Sequence, residues 1–333
     1  MSNNRIFWAV QAVGFKEDGG ASYTVAHGVQ SIGTTTTFNL IQEFELGQIS
    51  IYENIQDIPE VEITMEKSID GYPLLYHLAT PNATTPTMIG RASEKCHIAL
   101  SIFPDTNDSA SGDALATVES SGMYWNGTTI SASVDGPFTE SSTFVGNHRL
   151  WSAGGASIFE GSLFDNTDTP LASGGIQLRE NFVYANSILP TNMPGISATG
   201  IGNVDVDNPL HPRIQSFSTS IDLGRESLFE LGRKAAYFKS PNLPAEVTTD
   251  FEIISTSGDW ISVDEETGEV GGSEHTIQVQ FEDGTNINLG SKNVLSSVSY
   301  GGGDAGGGNV TNQFSYVTYN DFTITHPQDP AGL

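Results

Sequence analysis

Few residues in this chain have the types and spacing that catalysis needs. Cys96 is followed directly by His97, but neighbours in an extended strand point to opposite faces, so these two cannot meet as a nucleophile and its base. The seven histidines form no His-Glu-x-x-His motif, and no Gly-x-Ser-x-Gly elbow occurs. Carboxylate pairs brought together by the fold would leave no such motif. On these residues we predict no catalytic site and no enzyme activity.

Two loops carry the first part of a ligand-binding motif but lack residues that the complete motif requires. Residues 105–109 have the Asp-x-Asn-x-Ser start of a calcium loop, but Ala110 replaces the required glycine and Ala116 the bidentate glutamate. The glycine-rich run 301–308 lacks the Gly-Lys-Ser/Thr ending of a phosphate-binding loop. The acidic stretch 264–269 is typical of a turn between strands. We therefore predict no metal and no cofactor.

Charge and composition restrict the possible classes of function. The 333 residues include 40 acidic and 13 basic side chains, for a net charge of −27. Such a surface repels phosphate backbones, which argues against a protein that reads DNA sequence. It serves either solubility or a surface that lies near DNA without holding it. No apolar run could span a membrane, and the N-terminus does not resemble a secretion signal. The single cysteine leaves stability to burial and strand pairing.

The chain repeats itself at an offset of 185 residues. Ordered matches over about 35 residues indicate a tandem duplication, since convergent strand composition would scatter the glycine and proline positions. The matches are Val29-Gln-Ser with Ile214-Gln-Ser, Phe44-Glu-Leu-Gly with Phe229-Glu-Leu-Gly, Tyr52 with Tyr237, Pro59 with Pro244 and, after a slip of one residue, Glu60-Val with Glu246-Val. A looser match at an offset of 178 pairs the strand at His97 with that at His275.

Alternating apolar positions and turn residues predict a mainly β chain, and the repeat predicts two tandem domains. The first domain is expected over 1–153, a linker or arm over 154–173, the second domain over 174–328, and a short tail over 329–333. Residues 44–52 and 229–237 have helical spacing of apolar residues and predict one short helix per domain. Gly47 and Gly232 favour the alternative, a sharp turn.

Residues 220–237, 244–249 and 255–259 resemble the tail tube (major tail) proteins of tailed bacteriophages, and residues 37–71 resemble the same block more weakly, without a basic pair after Gly47. The resemblance implies two tandem β-sandwich or half-barrel domains, each with one short helix, whose strands join neighbouring subunits into a cylinder with six domains per ring. Two domains per chain would give trimeric rings, stacked into a DNA-conducting tube with an acidic lumen. The partners implied are copies of the chain, other tail proteins and passing genomic DNA, with no membrane. The location implied is the virion tail, after synthesis in the host cytoplasm.

The candidate assembly residues follow from the same resemblance. They are the two turn segments, the basic residues in an otherwise acidic chain, and the glycine loop: Tyr52, Tyr237, Arg225, Arg233, Lys234, Gly301, Gly302, Gly303, Gly306, Gly307 and Gly308. The alternative for the basic residues is ordinary solvated charge.

Two other functional classes remain open. A baseplate hub, tail terminator or capsid-surface protein could use the same domain. A carbohydrate-binding or hydrolytic β-sandwich would instead expose aromatic platforms around Trp125, Trp151 or Trp260.

Overall fold

The computed structural model describes residues 6–104, 110, 112–159, 175–207, 211–264, 268–269, 273–302 and 308–333. It is mainly β, which confirms the predicted fold class. The two α-helices are short and lie in the first half of the chain: α1 (Leu75–Leu78) and α2 (Met88–Ala92). Single 3-10 turns lie at Trp8–Val10, Arg179–Asn181 and Tyr184–Asn186. In the part of the chain that is described, no helix is long and apolar enough to cross a membrane.

The strands fall into two series that use the same plan. The first series is β1 (Gln11–Glu17), β2 (Thr24–Val25), β3 (Val29–Thr37), β4 (Leu40–Phe44), β5 (Ile51–Gln56), β6 (Glu60–Ser68), β7 (Cys96–Ile102), β8 (Ala114–Ser133), β9 (Thr139–Gly146) and β10 (Leu150–Gly155). The second series is β11 (Arg213–Asp222), β12 (Glu226–Leu228), β13 (Phe238–Ser240), β14 (Glu246–Ile254), β15 (Val263–Asp264), β16 (Gly268–Glu269), β17 (Gln278–Gln280), β18 (Asn286–Asn288), β19 (Val294–Gly301), β20 (Thr311–Tyr319) and β21 (Thr323–Thr325).

Eight antiparallel strands form the central sheet, in the order β3-β6-β9-β8-β11-β14-β20-β19. The first four come from the first series and the last four from the second. The pairing of β8 with β11 therefore joins two four-stranded halves edge to edge. We call this pairing the internal seam.

The two halves share the details of strand pairing. In β3 and β11 the register with the next strand shifts just after Val29 and just after Ile214, which are matched positions. In β8 and β19 it shifts just after Trp125 and just after Leu295. The long strand β8 also corresponds to β18 followed by β19: its first part pairs with β7 and β10, as β18 pairs with β17 and β21. A β-bulge at the same place in both halves fixes the equivalence of positions, because a slip of one residue would reverse every side chain.

Strict alternation in the strands places one face of the central sheet on the core. In β6, for example, Val61, Ile63 and Met65 are buried while the residues between them are exposed. The main core is continuous under both halves. A smaller second core under β1, β2 and β7 includes Phe159, which is paired with Tyr23.

Neither predicted helix forms at 44–52 or 229–237. The sharp-turn alternative is what the structure has: β4 pairs with β5 and β12 with β13 in two hairpins. Gly47 and Gly232 occupy the loops with φ of +102° and +86°, a region in which only glycine is unstrained. The apolar spacing looked helical because the hairpins carry apolar residues that are exposed, among them Phe44 and Ile51 in the first hairpin and Leu231 in the second.

Candidate assembly interface

The internal seam shows how the two four-stranded halves of the central sheet join. Seven consecutive residue pairs link β8 with β11, from Ser133 opposite Ser216 to Gly127 opposite Asp222. Its central pair is Ile130 with Thr219, and the next pair is Thr129 with Ser220. The seam is continuous antiparallel sheet, so the main-chain groups at these strand edges are satisfied by one another.

The same two kinds of edge are unpaired at the ends of the central sheet. Among the described residues, β3, which corresponds to β11, pairs only with β6, and β19, which corresponds to β8, pairs only with β20. We call these two the outer edges. One chain therefore carries both halves of a second seam, at opposite ends of one sheet. Unpaired edges of this length are templates for pairing with another chain.

Equivalent residues are buried at the internal seam and exposed at the outer edges. Leu223, just after β11, is 1% exposed, whereas Phe38, just after β3, is 72% exposed. Ile130 in β8 is fully buried and its counterpart Tyr300 in β19 is 56% exposed. These outer-edge residues are apolar or aromatic, as expected for surfaces that are buried when the protein assembles.

A groove beside each first strand shows the same difference. Beside β11, residues 132–134, at the end of β8 and just after it, fill the groove, and the cavity that remains has a volume of about 40 Å³. Beside the start of β3, residues Val29–Ile32 and the N-terminal Ile6–Trp8 line a groove of about 740 Å³. In the single chain the larger groove lacks the strand end that fills the smaller one.

The face of the central sheet away from the core, which we call the open face, is acidic and built from small polar residues. Cross-strand neighbours are serine, threonine and glycine, such as Thr129 beside Ser220 and Ser131 beside Ser218. Seven carboxylates share this facing: Glu60, Glu62, Glu66, Asp222, Glu246, Asp250 and Glu252. These eight strands, all described, contain two basic residues. Lys67 is buried in the core, and Arg213 lies at the start of β11.

Two hairpins project from one end of the central sheet. The β4–β5 hairpin exposes Phe44, Leu46 and Ile49, and the β12–β13 hairpin exposes Phe229 and Leu231. The hairpins contact each other. Lys234 Nζ donates to the main-chain oxygen of Gln56 at 3.1 Å, and Lys239 Nζ lies 3.5 Å from a carboxylate oxygen of Glu60. The hairpin of the second half therefore rests on that of the first.

The structure places Arg225 within its own chain, on the internal seam. Its guanidinium donates to the main-chain oxygens of Trp125, Lys239 and Ala92. It also lies 5.0 Å from the centre of the Tyr124 ring. Burial lowers the pKa of Arg225 to about 10, so the group stays charged at neutral pH. Arg225 thus ties the second half to the first, which the sequence did not indicate.

The other predicted basic and aromatic residues lie on the hairpins. Arg233 is half-exposed and lies 3.7 Å from the carboxylate of Glu230. Tyr52 and Tyr237 are exposed. Together with Lys234 they form the surface of the two hairpins, so four of the predicted residues share one end of the molecule.

The glycine loop is described only at its ends. Gly301 closes β19, opposite Thr311, and Gly302 and Gly308 are exposed. Gly303, Gly306 and Gly307 lie outside the described residues, as do the whole calcium-like run 105–109 and part of the acidic stretch 264–269. Among the residues that are described, no group of three or more His, Cys, Asp or Glu side chains could hold a metal.

A buried polar cluster fastens the C-terminal end to the first half. Arg91 of α2 is ion-paired with Asp329, and both side chains are fully buried. His77 of α1 bonds the main-chain oxygen of Ile324 at 3.2 Å, and its ring lies 6.0 Å from that of His326. Burial lowers the pKa of His77 to about 3 and that of His326 to about 4, so both rings are neutral. Asp329, in the predicted tail, is therefore part of the fold.

Sequence reasoning missed the residues that distinguish the outer edges. Phe38, Tyr300 and Leu150 carry no motif. A signal was available for the open face, because Glu60, Glu62 and Glu66 alternate with apolar residues in β6. That alternation predicts an acidic face once the strand is recognised.

No family model matches the chain, and no curated protein matches it. Among solved structures, a chain of the anti-feeding prophage baseplate, 6-fold symmetrised, is similar with a TM-score of 0.34 and 9% identity. The similarity covers 45% of this chain and 97% of that one. A chain of the PVC sheath-tube complex, from an extracellular contractile injection system in the extended state, gives a TM-score of 0.33 and 12% identity, over 45% of this chain and 93% of that one. Similarities this low do not by themselves assign a function.

Proposed function

We propose that this chain is a tail tube subunit: a tandem duplication whose copies pair β19 of one chain with β3 of the next and close into trimeric rings. The observation that carries the proposal is the internal seam. The chain contains one paired seam, β8 with β11, and it also carries the two unpaired strand edges, β3 and β19, from which a second seam would form. Heterologous joints of this kind generate rings when the rotation closes.

Three chains would place six four-stranded units in a ring. Eight strands from each chain, spaced about 4.8 Å apart and tilted about 40°, make a cylinder of roughly 40–50 Å backbone diameter. That width admits a DNA duplex. Closure also removes every free edge of the central sheet, which is the usual protection of β-proteins against uncontrolled aggregation.

The composition of the open face supports a ring that curves with this face toward the inside. If it lines the lumen, each chain contributes seven carboxylates and many small hydroxyl side chains to the channel wall. A polyanion passes such a wall without binding, because no counterions are released from its phosphates by contact with basic groups. The proposed role is therefore assembly and passive conduction of genomic DNA, with no bond-making step.

The exposed hairpin tips support stacking. Both hairpins leave the sheet at the same end, so a closed ring would carry six of them on one rim. Their apolar tips would be buried against the next ring, giving growth along the axis. The proposed particle is a virion tail or a tail-like assembly. The chain would be made in the host cytoplasm and would assemble with other tail proteins.

Negative-stain electron microscopy of the concentrated protein tests the proposal. Rings or tubes with a central hole and threefold or sixfold symmetry are expected. Monodisperse single chains at high concentration would contradict it. Specific glycan binding by such single chains would favour a carbohydrate-binding module instead.

A further inference from the structure

Strand β21 is buried because a segment of the other half covers it. The segment 69–95 connects β6 with β7 and contains both α-helices. Its Met88 main-chain N–H donates to the oxygen of Phe322 at 3.1 Å, and Thr87 forms a bridge with Thr323. Phe322 is 1% exposed as a result. Coverage of β21 is thus a second contact across the internal seam, beneath the pairing of β8 with β11.

Strand β10 takes the place of β21 in the first half, and no residue in the described part of the chain covers it. β10 pairs with the first part of β8 as β21 pairs with β18. All six residues of β10 are exposed. Leu150, the counterpart of Phe322, is 59% exposed, and the next residue, Trp151, is also exposed, with Arg149 stacked 5.5 Å from its ring.

The counterpart of the covering segment is uncovered too. Residues 255–277 connect β14 with β17, as 69–95 connect β6 with β7. In the described part, Trp260 and Val263 are exposed. Next to this segment, residues 255–259 and Tyr300 of β19 line a cavity of about 470 Å³. The exposed segment therefore lies against the outer edge that would carry the neighbouring chain.

We propose that residues 255–264 of one copy cover β10 of the next copy, burying Leu150 and Trp151 against Trp260 and Val263. This inference rests on the proposed ring. The geometry is that of the internal seam: the half that supplies β8 also supplies the cover for β21, so the half that supplies β19 supplies the cover for β10. Both surfaces are apolar, so their contact removes both from water at once. The occupant is a second copy of this chain.

The test measures how fast maleimide labels Leu150→Cys in assembled protein and in single chains held apart by Phe38→Asp. Cys96 is buried and gives no background. Labelling in rings is expected to be at least about tenfold slower than in single chains. Val206→Cys, in an exposed loop, is the control and should label equally in both. Adding Trp260→Ser and Val263→Ser to Leu150→Cys should restore fast labelling while rings persist.

Each outcome decides the inference. Fast labelling of Leu150→Cys in intact rings overturns the cover and leaves the ring standing. Protection that survives Trp260→Ser and Val263→Ser shows that something else covers β10, and also overturns it. If the protein forms no rings, both the cover and the proposed function fail.

Discussion

The internal seam and the outer edges are the same structure in two states, one paired and one open. At the seam, Leu223 and Ile130 are buried and Arg225 is held by three main-chain oxygens. At the outer edges, Phe38 and Tyr300 are exposed. The difference shows that the exposed residues are not core residues left over from poor packing. They hold positions whose equivalents are buried at the internal seam.

The largest expected effect concerns the internal side of this comparison. Arg91→Ala removes the cation that is paired with the buried carboxylate of Asp329, which we expect to lower the free energy of unfolding by about 3–5 kcal/mol. Denaturant unfolding of the single-chain form measures it. Arg233→Ala, which removes the exposed pair with Glu230, is the control and should cost about 0–1 kcal/mol. Equal effects would mean that the cluster does not fasten the C-terminal end.

The second effect concerns the outer edge alone. Phe38→Asp should weaken ring formation by at least about 100-fold, because each seam loses about 1.5–3 kcal/mol of apolar burial and must desolvate a carboxylate. Mass photometry over a dilution series measures the change. Because Phe38 is exposed in the single chain, its fold should not change.

Phe38→Leu is the matched control, since leucine occupies the equivalent position at the internal seam. It should assemble nearly as well as the unmodified protein. If Phe38→Asp formed rings as stable as those of the unmodified protein, the outer edge would not be part of the assembly contact.

Acid should act on the internal seam before it acts on the ring contacts. The folded-state pKa values of His77 and His326, about 3 and about 4, lie below the ordinary value of 6.5. Their contribution to stability is therefore complete above pH 6.5 and is lost as the pH falls toward 4, by up to about 1.4 kcal/mol per pH unit for each ring.

The difference between the unmodified protein and His77→Gln isolates the contribution of one ring. Urea unfolding at several pH values should give a shallower loss between pH 6.5 and 4 for His77→Gln. His148→Gln, at an exposed position, should keep the steep loss. Identical pH profiles for all three proteins would contradict neutral burial of His77.

The smallest effect on stability is expected on the open face. Glu62→Lys and Glu252→Lys change exposed or half-exposed positions and should alter unfolding by no more than about 0.5 kcal/mol. Assembled tubes carrying both should bind duplex DNA in low salt and release it in high salt, because lysines displace phosphate counterions. A filter-binding assay checks this against Glu62→Gln with Glu252→Gln. DNA binding that does not change would place the open face outside the lumen.

The tandem duplication stays a prediction, although the strand pairing is consistent with the two offsets in the sequence. The offsets of 185 and 178 align residues that the strand pairing also aligns, since side-chain alternation and bulges leave a pattern in each half. The helices predicted at 44–52 and 229–237 failed because exposed apolar residues of the hairpins imitate the spacing of a buried helical face. The true helices at 75–78 and 88–92 are too short for periodicity to detect.

The outer edges could not be found from sequence because exposure is a property of the whole sheet. Tyr300 and Ile130 occupy equivalent positions in the alternating pattern of their strands. Their exposure differs because only Ile130 has a neighbouring strand beside it. Arg225 was expected on a surface, but three main-chain oxygens from distant segments meet around it. Such convergence is visible only in the folded chain.

Oxidation of engineered cysteine pairs tests the central claim most directly. The internal pair Thr129 and Ser220 corresponds to Thr35 of one chain opposite Ser299 of the next. Thr129→Cys with Ser220→Cys should form a disulfide within one chain. Thr35→Cys with Ser299→Cys should form a covalent ladder on a non-reducing gel that ends at a closed trimer. Moving the second cysteine to Val298, which points to the other face, should abolish it. A protein that crosslinks at the internal pair but stays a single chain at the outer pair would contradict the account.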